Sequence, residues 1–140
     1  KGSKKHKIGV ISANPSQSKH LETATMRIHG IEVDFVNLRA QEIYEDDSRI
    51  PTTQFGTPLE DALRRDFTVN SLFYNIRTNQ IEDWTNRGIH DLLHHRILVT
   101  PVHPLTTFHD DPLRVLRAIR FSVRFDLLLH QDIRDAAMDS

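Results

Sequence analysis

Alternating and helix-spaced apolar positions succeed one another along this chain, with turn residues marking the boundaries. Residues 6–13 predict a strand that stops at Asn14-Pro15-Ser16. Polar and apolar residues alternate from Glu22 to Arg27. After His29-Gly30, Ile31, Val33 and Phe35 alternate with Glu32, Asp34 and Val36. This predicts a β-hairpin with Glu32 and Asp34 on the face opposite the apolar one. Residues 40–56 carry Asp46-Asp47-Ser48, Pro51 and Gly56 without a period and read as a loop. Thr57-Pro58-Leu59-Glu60 has the form of a capped helix start. The helix carries Ala62, Leu63, Arg64 and Arg65, and helical structure is expected to continue through Asn70 to Tyr74. A hairpin around Thr78-Asn79 follows, then a short helix from Gly88 to His95 and a strand at Ile97-Leu98-Val99. Pro101 and Pro104 bracket a loop. Asp111-Pro112 opens the most regular helix, to Phe125, and His130 to Ser140 reads as the opening of another.

The helix beginning at Asp111 carries the first chemical signal. Plotted at 100° per residue, Arg114, Arg117, Arg120 and Arg124 share a sector of about 120°. Val115, Leu116, Ile119 and Val123 occupy a separate sector and are expected to face the core. No acid is interleaved at i+4 to pair with the arginines, and the stripe starts at a helix N-terminus, where anions are favoured. Phosphate or nucleotide contact therefore explains it better than a solvated basic face. Upstream, Arg64-Arg65-Asp66 offers fixed donors for phosphate and an acceptor for a ribose hydroxyl, with Thr68 and Asn70 following. Asp111 and Arg114, three residues apart, present an acceptor and a donor as base-edge reading requires. Together these predict a site that holds a nucleoside triphosphate at both ends.

Composition narrows the field further. The 140 residues make one domain, or a piece of something larger, with ordinary hydrophobic (38%) and charged (26%) content. A net charge of -1 gives no bulk attraction to nucleic acid, so any basic surface comes from clustering. With no cysteine, disulfides and thiolate metal sites are excluded. No apolar run approaches the roughly 20 residues of a membrane span, so a soluble chain without a membrane partner is expected. Among the 9 histidines, His90 and His94 stand i,i+4 with His95 adjacent. No third ligand of suitable type lies near, so these read as surface histidines rather than a zinc site. Asp46 and Asp47 read as loop acids. Lys1 is not a methionine and the last helix stops without a cap, so the chain is expected to be a piece of a longer protein.

Three segments then stand together in order: Arg64-Arg65-Asp66, Asp83 to Asp91-Leu92, and Asp110-Asp111-Pro112-Leu113-Arg114. With Lys19-His20-Leu21-Glu22-Thr23-Ala24-Thr25 before them, the chain resembles the class II tRNA nucleotidyltransferases, the CCA-adding enzymes, in their eukaryotic form. The resemblance implies an α+β fold. Residues 1–100 would be the later part of a polymerase-β-like nucleotidyltransferase head, and 101–140 the start of an all-α neck. It gives Arg64, Arg65 and Asp66 the triphosphate and ribose of the incoming nucleotide. Asp111 and Arg114 become the protein template for the base, and Asn70 and Arg117 join the nucleotide-binding set. Asp83, Gly88 and Asp91 fall in an element proposed to act as a hinge, and 40–56 in the family's flexible loop.

The same resemblance implies Mg2+ as cofactor, CTP and ATP as substrates, and tRNA as partner. Asp34, in Val33-Asp34-Phe35-Val36-Asn37-Leu38-Arg39, matches the third metal-binding, catalytic carboxylate. The family's first motif, with the other two aspartates, does not occur in this sequence, so the isolated chain is expected to be inactive. Asp110 replaces a commoner glutamate, and Asn86 stands where glycine is usual. The activity implied is transfer of CMP and AMP to the tRNA 3′ end. An A-only poly(A) polymerase and a non-catalytic nucleotide- or RNA-binding module are the alternatives. Relatives of this kind act in the cytosol, nucleus, mitochondria and plastids.

Overall fold

His29 and Gly30 both take positive φ, 49° and 85°, as a two-residue type I′ turn requires. They join β2 (Thr23–Ile28) to β3 (Ile31–Val36), with Thr25 opposite Asp34 and Ile28 opposite Ile31. A further strand, β1 (Ile8–Ile11), pairs antiparallel with β2, giving the order β1-β2-β3. The computed structural model describes residues 8–11, 23–39 and 55–139. The chain divides into two units, Lys1–Thr57 and Pro58–Ser140. In the first, Ile31 and Phe35 remain 68% and 49% exposed, so the predicted hairpin forms while its apolar positions stay open. Arg39 and Phe55 form an isolated bridge. The acids Asp46 and Asp47, the segment from Lys19 to Glu22, and residues 40–54 of the expected loop lie outside the described residues.

In the second unit the helix at Pro58 is short. α1 (Pro58–Leu63) ends before the arginine pair, whereas the sequence pattern predicts helical structure through to Tyr74. Phe67 is extended (φ -137°, ψ 149°) and fully buried, and the Thr68 N–H bonds the Val99 carbonyl at 2.9 Å. Burial of that ring and a long-range backbone bond override helical propensity. A 3-10 turn, Thr68–Asn70, leads into the hairpin β4 (Phe73–Asn75) and β5 (Gln80–Glu82). Its loop has Asn79 at φ 54° and Asn75 Oδ1 accepting from the Arg77 and Thr78 N–H groups.

The short helix α2 (Gly88–His90) widens into a π-helical turn, Asp91–His95, which Arg96 closes at φ 52°. Next, β6 (Ile97–Leu98) pairs parallel with β7 (Leu128–Leu129), a pairing not visible in the sequence. α3 (Pro104–Asp110) stands where the sequence pattern predicts a proline-bracketed loop. Pro104 is its first residue, His103 Nδ1 caps it by accepting from the Leu105 N–H, and extended Asp111, preceding Pro112, ends it. α4 (Leu113–Phe125) and α5 (Gln131–Asp139) complete the unit.

The core joins Phe67, Leu98, Phe108, Ala118, Leu127, Ile133 and Ala136, so residues on both sides of position 100 share it. Here α4 corrects the sequence reading. Ala118, Val115 and Phe121 face the core, while Leu116, Ile119 and Val123 are 64%, 54% and 79% exposed. The helix is rotated so that the side carrying Arg114 lies inward, toward acceptors that the apolar positions could not serve.

Candidate functional site

The arginine turn is assembled by local bonds. Arg65 donates through Nε and Nη2 to Asp61 Oδ2 at 3.0 and 2.8 Å, one helical turn back. Its Nη1 reaches the Asn70 carbonyl at 3.2 Å, and its guanidinium lies 4.9 Å from the Phe73 ring centre. Arg65 therefore closes the turn. Arg64 gives its backbone carbonyl to Arg114 Nη2 at 2.9 Å.

Asp66 is 5% exposed, and both its carboxylate oxygens accept hydrogen bonds. Its Oδ1 accepts from the Phe67 N–H and from Asn70 Nδ2, both at 2.9 Å. Its Oδ2 accepts from Arg117 Nε at 2.7 Å, and Nη2 of the same guanidinium lies 2.6 Å away. The sequence set Asp66, Asn70, Arg114 and Arg117 is thus brought together where α4 begins.

Asp111 is differently placed. Its Oδ1 accepts from the Leu113 N–H at 3.0 Å, which caps the start of α4. Its Oδ2 lies 3.9 Å from Arg114 Nε, and the side chain is 44% exposed. Arg114 itself is mostly covered, with Nη1 3.4 Å from the Thr107 carbonyl. One carboxylate oxygen therefore remains at the surface beside an arginine anchored at its far edge. Arg120 and Arg124 are exposed on the outer turns of the helix.

The segment from Asp83 to Asp91 braces the arginine turn from behind. Asp83 Oδ2 accepts from the Ile89 N–H at 3.0 Å and Oδ1 from the Thr85 hydroxyl at 2.8 Å. Burial works to raise the Asp83 pKa, but bonds from the Ile89 N–H, the Thr85 hydroxyl and the Gly88 and Thr85 N–H groups outweigh it. The carboxyl therefore sits below its ordinary value. Asn86 takes φ 57°, a conformation asparagine tolerates, so the absent glycine is accommodated.

Gly88 cannot be replaced so easily. A Cβ there would lie 2.5 Å from the Thr68 carbonyl oxygen. Asp91, 1% exposed, accepts from the Thr68 hydroxyl at 2.7 Å, with Arg87 and His95 3.7 and 3.6 Å from its other oxygen. Thr68 is thus gripped by Gly88, Asp91 and Val99, a role the sequence did not reveal. The signal available was a buried-type threonine between the arginine turn and Asn70.

Asp34 lies in the other unit, exposed, and accepts from the Thr25 hydroxyl at 2.6 Å. His90, His94 and His95 are exposed, with ring centres 4.8 and 5.2 Å apart. Among the described residues no group of three His, Cys, Asp or Glu is arranged to hold a metal ion.

Residues 1–98 match the poly A polymerase head domain. The chain belongs to that family. Within it, this head-domain chain is 61% identical over 125 residues to the mitochondrial CCA tRNA nucleotidyltransferase of Candida glabrata. That match takes in 89% of this chain and 23% of the relative, so the chain spans about a quarter of the curated relative's length. Among solved structures, a CCA-adding enzyme in an apo form superposes with a TM-score of 0.70 at 27% identity, covering 96% of this chain and 30% of that one. The Bacillus stearothermophilus CCA-adding enzyme in complex with CTP superposes at 0.65 and 26%, covering 81% and 26%. The mixed α+β architecture is that of these nucleotidyltransferase heads.

Proposed function

We propose that the full-length protein carrying this segment adds CMP and AMP, from CTP and ATP, to the 3′ end of tRNA. The observation that carries this reading is the spare Asp111 oxygen beside Arg114, held at the start of a helix that is tied to the arginine turn. Identity to a CCA tRNA nucleotidyltransferase supports it.

Cytosine and adenine each present an exocyclic amine donor next to a ring-nitrogen acceptor; uracil and guanine reverse that order. Asp111 supplies the acceptor for the amine and Arg114 the donor for the ring nitrogen. A wrong base leaves these groups facing their like, at a cost of roughly 1–3 kcal/mol for each unpaired buried group. Arg64 and Arg65 lie in the turn that takes the triphosphate. The Asp83–Asp91 segment sets that turn against the backbone at Val99, just after β6, and any hinge motion would pass through this brace. The head reads as residues 1–100 and the neck as 101–140.

Magnesium ions in this chemistry would activate the tRNA hydroxyl and stabilise leaving pyrophosphate. Asp34 supplies one carboxylate, and the described residues offer no three-ligand set around it. This chain does not by itself fit a two-metal centre. Its own part is to hold and select the nucleotide. No described helix is long and apolar enough to cross a membrane. The mitochondrial name of the Candida glabrata relative supports an organelle among the compartments of action.

The test is incorporation of labelled CTP and ATP into tRNA lacking its terminal CCA, using the full-length protein with magnesium. Ordered addition of C, C and A is expected. A run of A without C replaces this reading with poly(A) synthesis. No incorporation with RNA binding retained replaces it with a binding module. The 140-residue chain alone is expected to incorporate nothing.

A further inference from the structure

Thr107, in α3, lies behind both residues of the base-reading pair. Its carbonyl accepts from the Asp111 N–H and from Arg114 Nη1, each at 3.4 Å. Both bonds are long and share one oxygen, so neither holds its donor firmly. The Thr107 side chain is fully buried, and its Oγ1 has no hydrogen-bond partner among the described residues. Buried hydroxyls are nearly always paired, and valine would fill the same space without leaving a polar atom unmatched. An unpaired hydroxyl therefore stands on the residue against which Arg114 rests.

We propose that Thr107 is a positioning residue for base selection: its hydroxyl takes over Arg114 Nη1 when a bound base draws the guanidinium off the carbonyl. This role rests on the nucleotide-transfer reading above. The Arg114 side chain is only 17% exposed, so an Nη1 that leaves the carbonyl meets little water and needs another acceptor. Arg114 Nη2 meanwhile stays tied to the Arg64 carbonyl at 2.9 Å, the shorter of its two bonds, so the guanidinium pivots rather than withdraws. The pivot exchanges one acceptor on Thr107 for the other, since a hydroxyl oxygen accepts as a carbonyl does. The carbonyl is then left to the Asp111 N–H alone, which firms the backbone of the second reading residue. A base with an amine beside a ring acceptor draws both groups into place. A base with the reverse order leaves Arg114 on the carbonyl.

The test uses the full-length protein and the variants Thr107→Val and Thr107→Ser. Two quantities are compared, kcat/KM for CTP against UTP and the melting temperature, and the variants should rank oppositely on them. Thr107→Val keeps the volume and removes the hydroxyl. It should melt within about 2 °C of wild type or above it, while discrimination against UTP falls roughly fivefold, as loss of one hydrogen bond implies. Thr107→Ser keeps the hydroxyl and loses a buried methyl. It should melt lower, while discrimination stays within about twofold of wild type. If Thr107→Val discriminates like wild type, the hydroxyl has no part in selection and the inference falls. It falls equally if Thr107→Val melts well below wild type, because the hydroxyl then has a partner in the free protein. Loss of discrimination in Thr107→Ser to the level of Thr107→Val would make packing the cause, which also overturns it. A wild-type protein that incorporates neither CTP nor ATP overturns the function reading first, and the two failures are thereby distinguished.

Discussion

Asp66 in the arginine turn and Asp111 at the opening of α4 are two carboxylates serving the same stretch of helix in opposite ways. Asp66 is buried and accepts from the Phe67 N–H, Asn70 Nδ2 and Arg117 Nε, in an ion pair with the Arg117 guanidinium. Asp111 spends one oxygen on the helix cap and keeps the other at the surface, 44% exposed. The difference teaches that one residue type takes two environments here, set by how many donors each carboxylate meets. The buried carboxylate ties two elements together, whereas the other keeps one oxygen at the surface. Arg114 and Arg117 divide similarly from Arg120 and Arg124. The first two find carbonyls and a carboxylate on the inner side of α4, and the latter stand outside.

The comparison can be broken most severely through Gly88, which supports the Asp66 side alone. Gly88→Val puts side-chain atoms into the Thr68 backbone and should cost about 3 kcal/mol or more in urea unfolding of the full-length protein. Asp91→Ala strips the Thr68 hydroxyl of its 2.7 Å partner and empties a buried site. It should cost about 2 kcal/mol by the same measurement. Asn70→Ala removes one of the three hydrogen-bond donors to Asp66 and should cost about 1 kcal/mol, because Arg117 still holds the other oxygen.

The smallest effect sharpens the comparison through pH. Because the folded Asp83 carboxyl has a lowered pKa, its contribution is present above the unfolded value near 3.9 and is lost as pH falls through the folded value. Asp83→Asn should therefore cost about 0.5 kcal/mol at pH 7, with the difference from wild type closing below about pH 4 in denaturation curves. Persistence of the full difference at pH 2 would contradict this account of the cap.

Local chemistry was legible in the sequence where it acted locally. His29-Gly30 and Asn79 announced their turns, and the spacing from Asp111 announced α4. Long-range packing was not legible. The burial of Phe67 and the reach of Thr68 to Val99 ended the helix early, and no local propensity carries that information. α3 was hidden because its prolines read as breakers although Pro104 sits at a helix start. The rotation of α4 is not encoded in its apolar spacing, which on its own points Leu116, Ile119 and Val123 to the core. Arg114 and Arg117 instead have acceptors inside, and Leu116, Ile119 and Val123 are left out. The gathering of Asp66, Asn70, Arg114 and Arg117 follows from that rotation, so the sequence could name these residues without showing how they meet.

The most direct measurement is the nucleotide spectrum of Asp111→Ala in the full-length protein, offered all four nucleoside triphosphates and tRNA lacking CCA. The account predicts that UMP and GMP enter alongside CMP and AMP while the affinity for the triphosphate stays near wild type. Uniformly weaker incorporation of CMP and AMP, with UMP and GMP still refused, would contradict it.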